Sequence, residues 1–301
     1  MLFNSIAFLF GFLPLTLLLH AASPFALRNL TLLLCSLIFY FWGEGYFVFI
    51  LLSSISLNYC IGLLLPVALA RSKRVARCVL GLGISANLLL LFIYKYLGFF
   101  AENLEPLFKS VGLTIPQTEF VLPIGISFFT FQALSYLVDV YRQEVPAERN
   151  PIGLALYISL FPQLIAGPIV RYSTIAKQIK DRVLSRSSFS SGARRFIQGL
   201  SKKVLLADPL AKMVDLIFAL PAEELTMSLA WFAAFAYSLQ IYLDFSGYSD
   251  MAIGLGRMFG FTFLENFNFP YISTSLREFW RRWHISLSTW FRDYLYIPLG
   301  G

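Results

Sequence analysis

The chain has 301 residues, of which 57% are apolar, 17% aromatic and only 14% charged. A soluble globular domain carries nearer a quarter charged residues, so that class is excluded and a polytopic membrane protein is expected. The net charge of +7 gathers in the loops between apolar runs, which reads as membrane topology over anionic lipid and not as a nucleic-acid surface.

Apolar runs lie at about 3–20, 29–42, 46–70, 78–98, 120–141, 152–170, 204–220 and 227–256. Each predicts a helix, and crossing a hydrocarbon core of roughly 30 Å takes about 20 helical residues. The first run has no basic start and no clean small-residue cleavage site, so it reads as a retained transmembrane helix and not as a leader. His20 closes that run with no polar company and reads as an interface residue. Cys35, Cys60 and Cys78 show neither metal spacing nor a CxxC pair. Each is expected to be a small buried hydrophobe, without a disulfide framework.

Charge sets the expected topology. The loop Arg71 to Arg77 is basic, and the stretch from Arg171 to Lys203 holds nine Lys or Arg against the single acid Asp181. The connection 99–119 instead carries Glu102, Glu105 and Glu119 against Lys109. Positive charge marks the cytoplasmic side, which puts the first two inside and both 99–119 and the amino terminus outside. The run 152–170 then begins and ends inside. Pro162, Gly167 and Pro168 break it, so a re-entrant segment is expected, with a kinked spanning helix as the alternative. The serine- and arginine-rich stretch 171–203 reads as an amphipathic segment lying on the lipid surface, or as a partner-binding site.

The run from Leu225 to Phe259 is unusual in carrying Gln240, Asp244 and Asp250. Ionisable groups at bilayer depth normally face a bundle interior or a cavity. Gln240 and Asp244 share a helical face, whereas Asp250 points about 120° away. The pattern reads either as polar glue between helices or as part of a reactive cavity. The two carboxylates share no face and have no nearby histidine, so no metal site is expected. Glu265, Asn266, Asn268 and Pro270 then break the helix. Ser275, followed by Glu278, predicts a helix cap. The helix it opens would place Trp280, His284, Leu287 and Phe291 on one face and Arg281, Ser288 and Arg292 on another. Histidine titrates nearest neutrality, so His284 among aromatics is a candidate general base. Arg281, Trp283 and Ser288 are candidate oxyanion donors by position, and Ser288, one turn on, is placed to orient the imidazole. An interfacial anchor would use the same Trp, Tyr and Arg residues.

Four blocks carry a resemblance: Pro123–Gln132, Leu164–Ile169, Tyr242–Asp250 and Phe279–Ser288. In this order they resemble the membrane-bound O-acyltransferase family, and within it the branch that acetylates exported polysaccharides such as alginate. The resemblance implies an all-α polytopic fold, a ring of transmembrane helices with re-entrant and interfacial pieces, and one membrane acyltransferase domain over 1–301. It implies a bacterial inner-membrane enzyme with no bound cofactor, using acetyl-CoA or another acyl thioester, such as an acyl carrier protein, as co-substrate. The acetyl group would pass to polysaccharide hydroxyls or to a periplasmic relay partner, with periplasmic acetyltransferase proteins in attendance. The family's histidine falls on His284. Members extend beyond Gly301 and carry a second histidine in a later apolar segment, so the chain is expected to be incomplete and inactive by itself. A transporter or flippase for a lipid-linked sugar or acyl intermediate is the alternative, since transporters also use broken helices and buried acids.

Overall fold

The computed structural model describes residues 3–110, 121–165 and 167–301, and every regular element among them is helical. In chain order come α1 (Leu13–Ala22), α2 (Arg28–Glu44), α3 (Val48–Arg71), α4 (Lys73–Lys95) and α5 (Leu97–Ser110). Next are α6 (Ile126–Tyr141), α7 (Pro151–Ser159), α8 (Phe161–Leu164), α9 (Tyr172–Lys180) and α10 (Arg186–Ser201). Then follow α11 (Asp208–Phe218), α12 (Met227–Met258), α13 (Leu276–Arg282) and α14 (Ile285–Phe291). Among the described residues two stretches are long and apolar enough to cross a membrane: Phe25–Arg71, with mean hydropathy 2.1, and Lys73–Lys95, with 2.0. Leu64 and Val67 on α3 and Leu82 and Leu89 on α4 are exposed, large apolar side chains that suit lipid and not water.

The chain divides into two compact units, Pro24–Ile165 with Arg171–Ala176, and Met1–Ser23 with Ala166–Val170 and Lys177–Gly301. In the first unit α3 and α4 are joined by a buried amide clasp. Asn58 Nδ2 donates to Asn87 Oδ1 (3.0 Å), and Asn87 Nδ2 returns a bond to Asn58 Oδ1 (2.8 Å). Each amide also donates to a carbonyl one turn back, Ser54 O and Gly83 O. Such paired polar groups hold helices together where apolar burial gives no driving force. The predicted break in the run 152–170 is present: α7 ends at Ser159, and Leu160 (φ −56°, ψ 112°) turns the chain into the four-residue α8. Residues 153–164 are buried, so the freed backbone groups need protein partners. Phe161 N donates to Ser36 Oγ (3.2 Å), and Gln163 Nε2 donates to Tyr157 O. Glycine is required just before α6. Gly125 has φ +82°, and a Cβ there would meet the Leu164 carbonyl oxygen at 2.6 Å.

In the second unit α10 and α12 run antiparallel in close contact. Gly192 lies against Gly254 and Gly199 against Gly247. Both pairs repeat at seven residues, two helical turns, so the backbones meet along a glycine seam. Between the glycines, Asp250 of α12 (6% exposed) accepts from Arg195 Nε (2.9 Å) and Nη2 (2.7 Å) and from Lys202 Nζ (2.6 Å). The helix opens into a π-helical stretch at Lys202–Ala207. Lys203 thereby also reaches α12, its Nζ lying 2.8 Å from Asp244 Oδ1.

Several expectations are corrected. The stretch 171–203 forms two helices, α9 and α10, and glycine packing ties one face of α10 to α12. Residues 99–110 of the acidic connection are helical, as part of α5, while 111–119 lie outside the described residues. His20 is buried and has polar company: its Nε2 lies 3.3 Å from Arg182 Nη2, and its ring meets Phe259 edge-on. Of the cysteines, Cys35 is buried, whereas Cys60 and Cys78 lie on outer helix faces.

Candidate active site

The site is built where α12 gives way to a non-helical run, 261–269, and the short helices α13 and α14. The predicted cap is present, since Glu278 N donates to Ser275 Oγ (3.2 Å). The return bond is shifted by one residue: Glu278 Oε2 accepts from Thr274 N and Thr274 Oγ1, both at 3.0 Å. These Thr274 donors, with Arg282, hold the Glu278 carboxyl below the usual carboxylate range.

The single helix expected to carry Trp280, His284 and Phe291 on one face is instead two helices. Trp283 turns extended (φ −102°, ψ 130°), and His284 adopts left-handed backbone (φ +42°, ψ 53°) as the cap of α14. That conformation costs a non-glycine residue about 1–3 kcal/mol and persists only where its surroundings over-determine it. Here the non-helical run competes with the helix for hydrogen bonds. Asn268 N donates to Arg282 O (2.9 Å), and Ile285 N donates to Asn266 O (3.0 Å). Asn266 Oδ1 accepts from both Ser286 N (3.2 Å) and Ser286 Oγ (2.9 Å). Ser286 Oγ in turn accepts from Ile169 N (3.0 Å). The joint is therefore clamped on both sides of His284.

Aromatic rings enclose the joint. Trp283 packs against Phe267 (5.1 Å), Phe279 (5.6 Å), Tyr242 (6.3 Å) and Tyr271 (6.3 Å). The His284 ring lies 4.7 Å from Phe245. His284 is 5% exposed, and its Nδ1 is buried without a hydrogen-bond partner among the described residues. Burial lowers its pKa from 6.5 to about 4, so the imidazole is neutral at pH 7.

A cavity of about 830 Å³ opens beside this joint, lined among others by Arg195, Lys202, Tyr242, Asp250, Glu265 and Ile285. His284 is not in its wall; its neighbour Ile285 is. The cations on that wall are held by carboxylates, Arg195 by Asp250 and Glu265 and Lys202 by Asp250. Removing the Asp250 charge leaves two cations facing an uncharged amide. Breaking a buried pair in this way costs about 3 kcal/mol, so Asp250→Asn is expected to lower the thermal midpoint of the detergent-solubilised protein by several degrees. An unchanged melt would show that solvent screens the trio.

Of the other residues singled out in the sequence, Trp283 is brought against His284's cage. Gln240 and Asp244 remain together through a long Nε2–Oδ2 bond (3.4 Å), with Asp244 bridging to Lys203 as helix glue. Arg281 is exposed on α13. Ser288 meets His284 through backbone, its N–H donating to the His284 carbonyl at 3.0 Å. Asn266 and Ser286 were not anticipated; the signal was the Asn-Phe-Asn-Phe-Pro run, whose amides can pair with a neighbouring turn.

Comparison with known proteins shows the family. The family model for membrane-bound O-acyltransferases matches residues 88–301, and the chain belongs to that family. It is 49% identical over 302 residues to a probable alginate O-acetylase, AlgI, of Pseudomonas syringae pv. tomato, covering 100% of this chain and 58% of that protein. A peptidoglycan O-acetyltransferase of Helicobacter pylori is 40% identical over 335 residues, covering 100% of this chain and 62% of that protein. A teichoic acid D-alanyltransferase of Bacillus subtilis is 29% identical over 213 residues, covering 68% and 52% respectively. The chain spans less than two thirds of the length of these relatives.

Proposed function

We propose that the protein is an inner-membrane O-acyltransferase, multi-pass with its amino terminus outside, that moves an acetyl group from a cytoplasmic thioester to hydroxyls of an exported polysaccharide such as alginate, or to a periplasmic relay partner. In this reading residues 1–301 belong to one membrane acyltransferase domain, with the family's ring of transmembrane helices and a re-entrant α7–α8. Acetyl-CoA or an acyl carrier protein is the donor, and periplasmic acetyltransferase proteins are the partners. Supporting it are relatives named for acyl transfer onto three polymers: alginate, peptidoglycan and teichoic acid.

The observation that carries the chemistry is His284, neutral and buried at a strained joint. With Nδ1 enclosed, Nε2 is the nitrogen assigned to the substrate. It takes the hydroxyl proton as the oxygen bonds to the thioester carbonyl carbon. The C–S bond then breaks, and the departing thiolate takes the proton back from the imidazolium. A desolvated imidazole is a weak base at rest. The negative charge developing on the carbonyl oxygen raises its proton affinity as the bond forms, so base strength arrives in step with the reaction.

The test is transfer of radiolabelled acetyl from acetyl-CoA to de-O-acetylated alginate by the full-length protein in proteoliposomes with its periplasmic partners. Donor-dependent ester formation is expected. Movement of a lipid-linked sugar across the bilayer with no acyl donor, and no ester formed, would replace this reading with a transporter.

A further inference from the structure

Asn266 is among the most enclosed polar residues of the clamp, at 1% exposed. Its amide cannot be turned over freely. Ser286 N is a donor only, and it lies 3.2 Å from the Asn266 oxygen, which also accepts from Ser286 Oγ. Ser286 Oγ, which accepts from Ile169 N, gives its one proton to the same Asn266 oxygen. The assignment of Oδ1 and Nδ2 therefore follows from the network. Nδ2, with two N–H donors, points away from Ser286 and has no hydrogen-bond partner among the described residues. Leaving such a donor buried and unused costs about 1–3 kcal/mol, and native proteins rarely keep one without a use. Meanwhile the same residue's backbone carbonyl holds Ile285 N, the group next to His284. The idle donor and the candidate base are thus fixed to one rigid joint.

We propose that Asn266 is a catalytic residue of the acyl transfer: its Nδ2–H donates to the thioester carbonyl oxygen and stabilises the oxyanion. As the hydroxyl oxygen adds to the carbonyl carbon, the C=O π pair moves onto that oxygen, which Asn266 holds. When the tetrahedral adduct collapses the pair returns, the C–S bond breaks, and the thiolate leaves with the proton carried by His284. This rests on the acyl-transfer reading above and adds to it a donor that differs from Arg281, which lies exposed on α13. A preorganised donor of this kind is worth about 10²–10³ in kcat.

The experiment compares Asn266→Asp, Ser286→Ala and His284→Ala in the full-length protein in proteoliposomes with acetyl-CoA and de-O-acetylated alginate. Aspartate keeps the acceptor oxygen that holds Ser286 but loses the N–H when ionised; when protonated, it regains a donor. N266D is therefore expected to lose about 10²–10³ in kcat at pH 8 and to recover part of it at pH 6. S286A, which loosens the clamp but leaves Nδ2 in place, is expected to stay within about tenfold of wild type. Wild-type activity of N266D at both pH values, a loss that does not change with pH, or an equal loss in S286A would each overturn the assignment. If N266D does not fold, an unreactive ketone analogue of the thioester decides the matter in the wild-type protein. A carbonyl stretch lowered on binding supports an amide donor, and an unshifted band overturns it. Full activity of H284A would instead remove the base and the parent reading, whatever N266D does.

Discussion

Gly199→Leu is expected to cost about 2–6 kcal/mol, a large share of the protein's stability. The seam between α10 and α12 has no room for a side chain. A Cβ on Gly192 would meet Gly254 O at 2.6 Å and Met258 N at 2.9 Å, and one on Gly199 would meet Met251 N at 2.7 Å. These obstacles are backbone atoms, which cannot rotate aside, so a leucine must push the helices apart. Helix pairs without such glycines pack at about 8–10 Å. At that separation Asp250 would no longer reach Arg195 and Lys202, which now bind it at 2.6–2.9 Å. Overpacking by itself costs about 1–3 kcal/mol, and the broken ion trio adds a similar amount, against a net stability of roughly 5–15 kcal/mol for a typical domain. Gly199→Ala should fold with a lowered melting point. Gly81→Ala is the control: a Cβ there meets nothing within 4 Å, and alanine favours a helix by about 1 kcal/mol. Measurement is by size-exclusion profile and protease resistance after detergent extraction. A monodisperse G199L with wild-type resistance would mean that the seam does not hold the unit together.

The glycine seam also shows why part of the fold escaped a reading of the sequence. The apolar runs were visible as helices, and α2, α3, α4, α6 and α12 coincide with them; among the described residues the stretches Phe25–Arg71 and Lys73–Lys95 also have the length and hydropathy that a bilayer demands. The break between α7 and α8 was visible because proline removes a backbone donor wherever it stands. The role of α10 was hidden. Its arginines and serines have the composition of a lipid-surface segment, and its partner is not determined by composition. The signal that was there lay in spacing, with Gly192 and Gly199 seven apart and Gly247 and Gly254 seven apart, and Arg195 set to meet Asp250 between them. The same limit applies at the candidate site. Periodicity put His284 inside one long amphipathic helix, because pattern sees side chains and not hydrogen bonds from elsewhere in the chain. Asn266 and Asn268 take the backbone groups of Arg282 and Ile285 and break that helix at His284. A local propensity loses here to a non-local pairing, and the residue left in the strained conformation is the one whose chemistry stands out.

Strain, burial and aromatic packing converge on His284, and they yield the second large effect. His284→Ala is expected to lower acetyl transfer at least about 10³-fold, within the range a base and its neighbours contribute, while leaving membrane insertion intact. The pH dependence separates this from a structural loss. An ordinary histidine base with pKa 6.5 would be about 97% protonated at pH 5 and silent. Burial lowers the His284 value to about 4, so the neutral, proton-accepting form persists through pH 5, and the acid limb of kcat/KM should fall near pH 4. The sign for stability follows from the same shift. Below pH 6.5 the unfolded chain binds a proton on this histidine that the folded chain refuses, so folding is penalised progressively as pH drops from 6.5 to about 4. The full penalty is on the order of 3 kcal/mol, and H284A should abolish it, flattening the melting-point profile across that window. An acid limb at pH 6.5, together with a melting profile that H284A leaves unaltered, would mean that this imidazole meets water, and that the proton acceptor for the acyl transfer lies elsewhere in the protein.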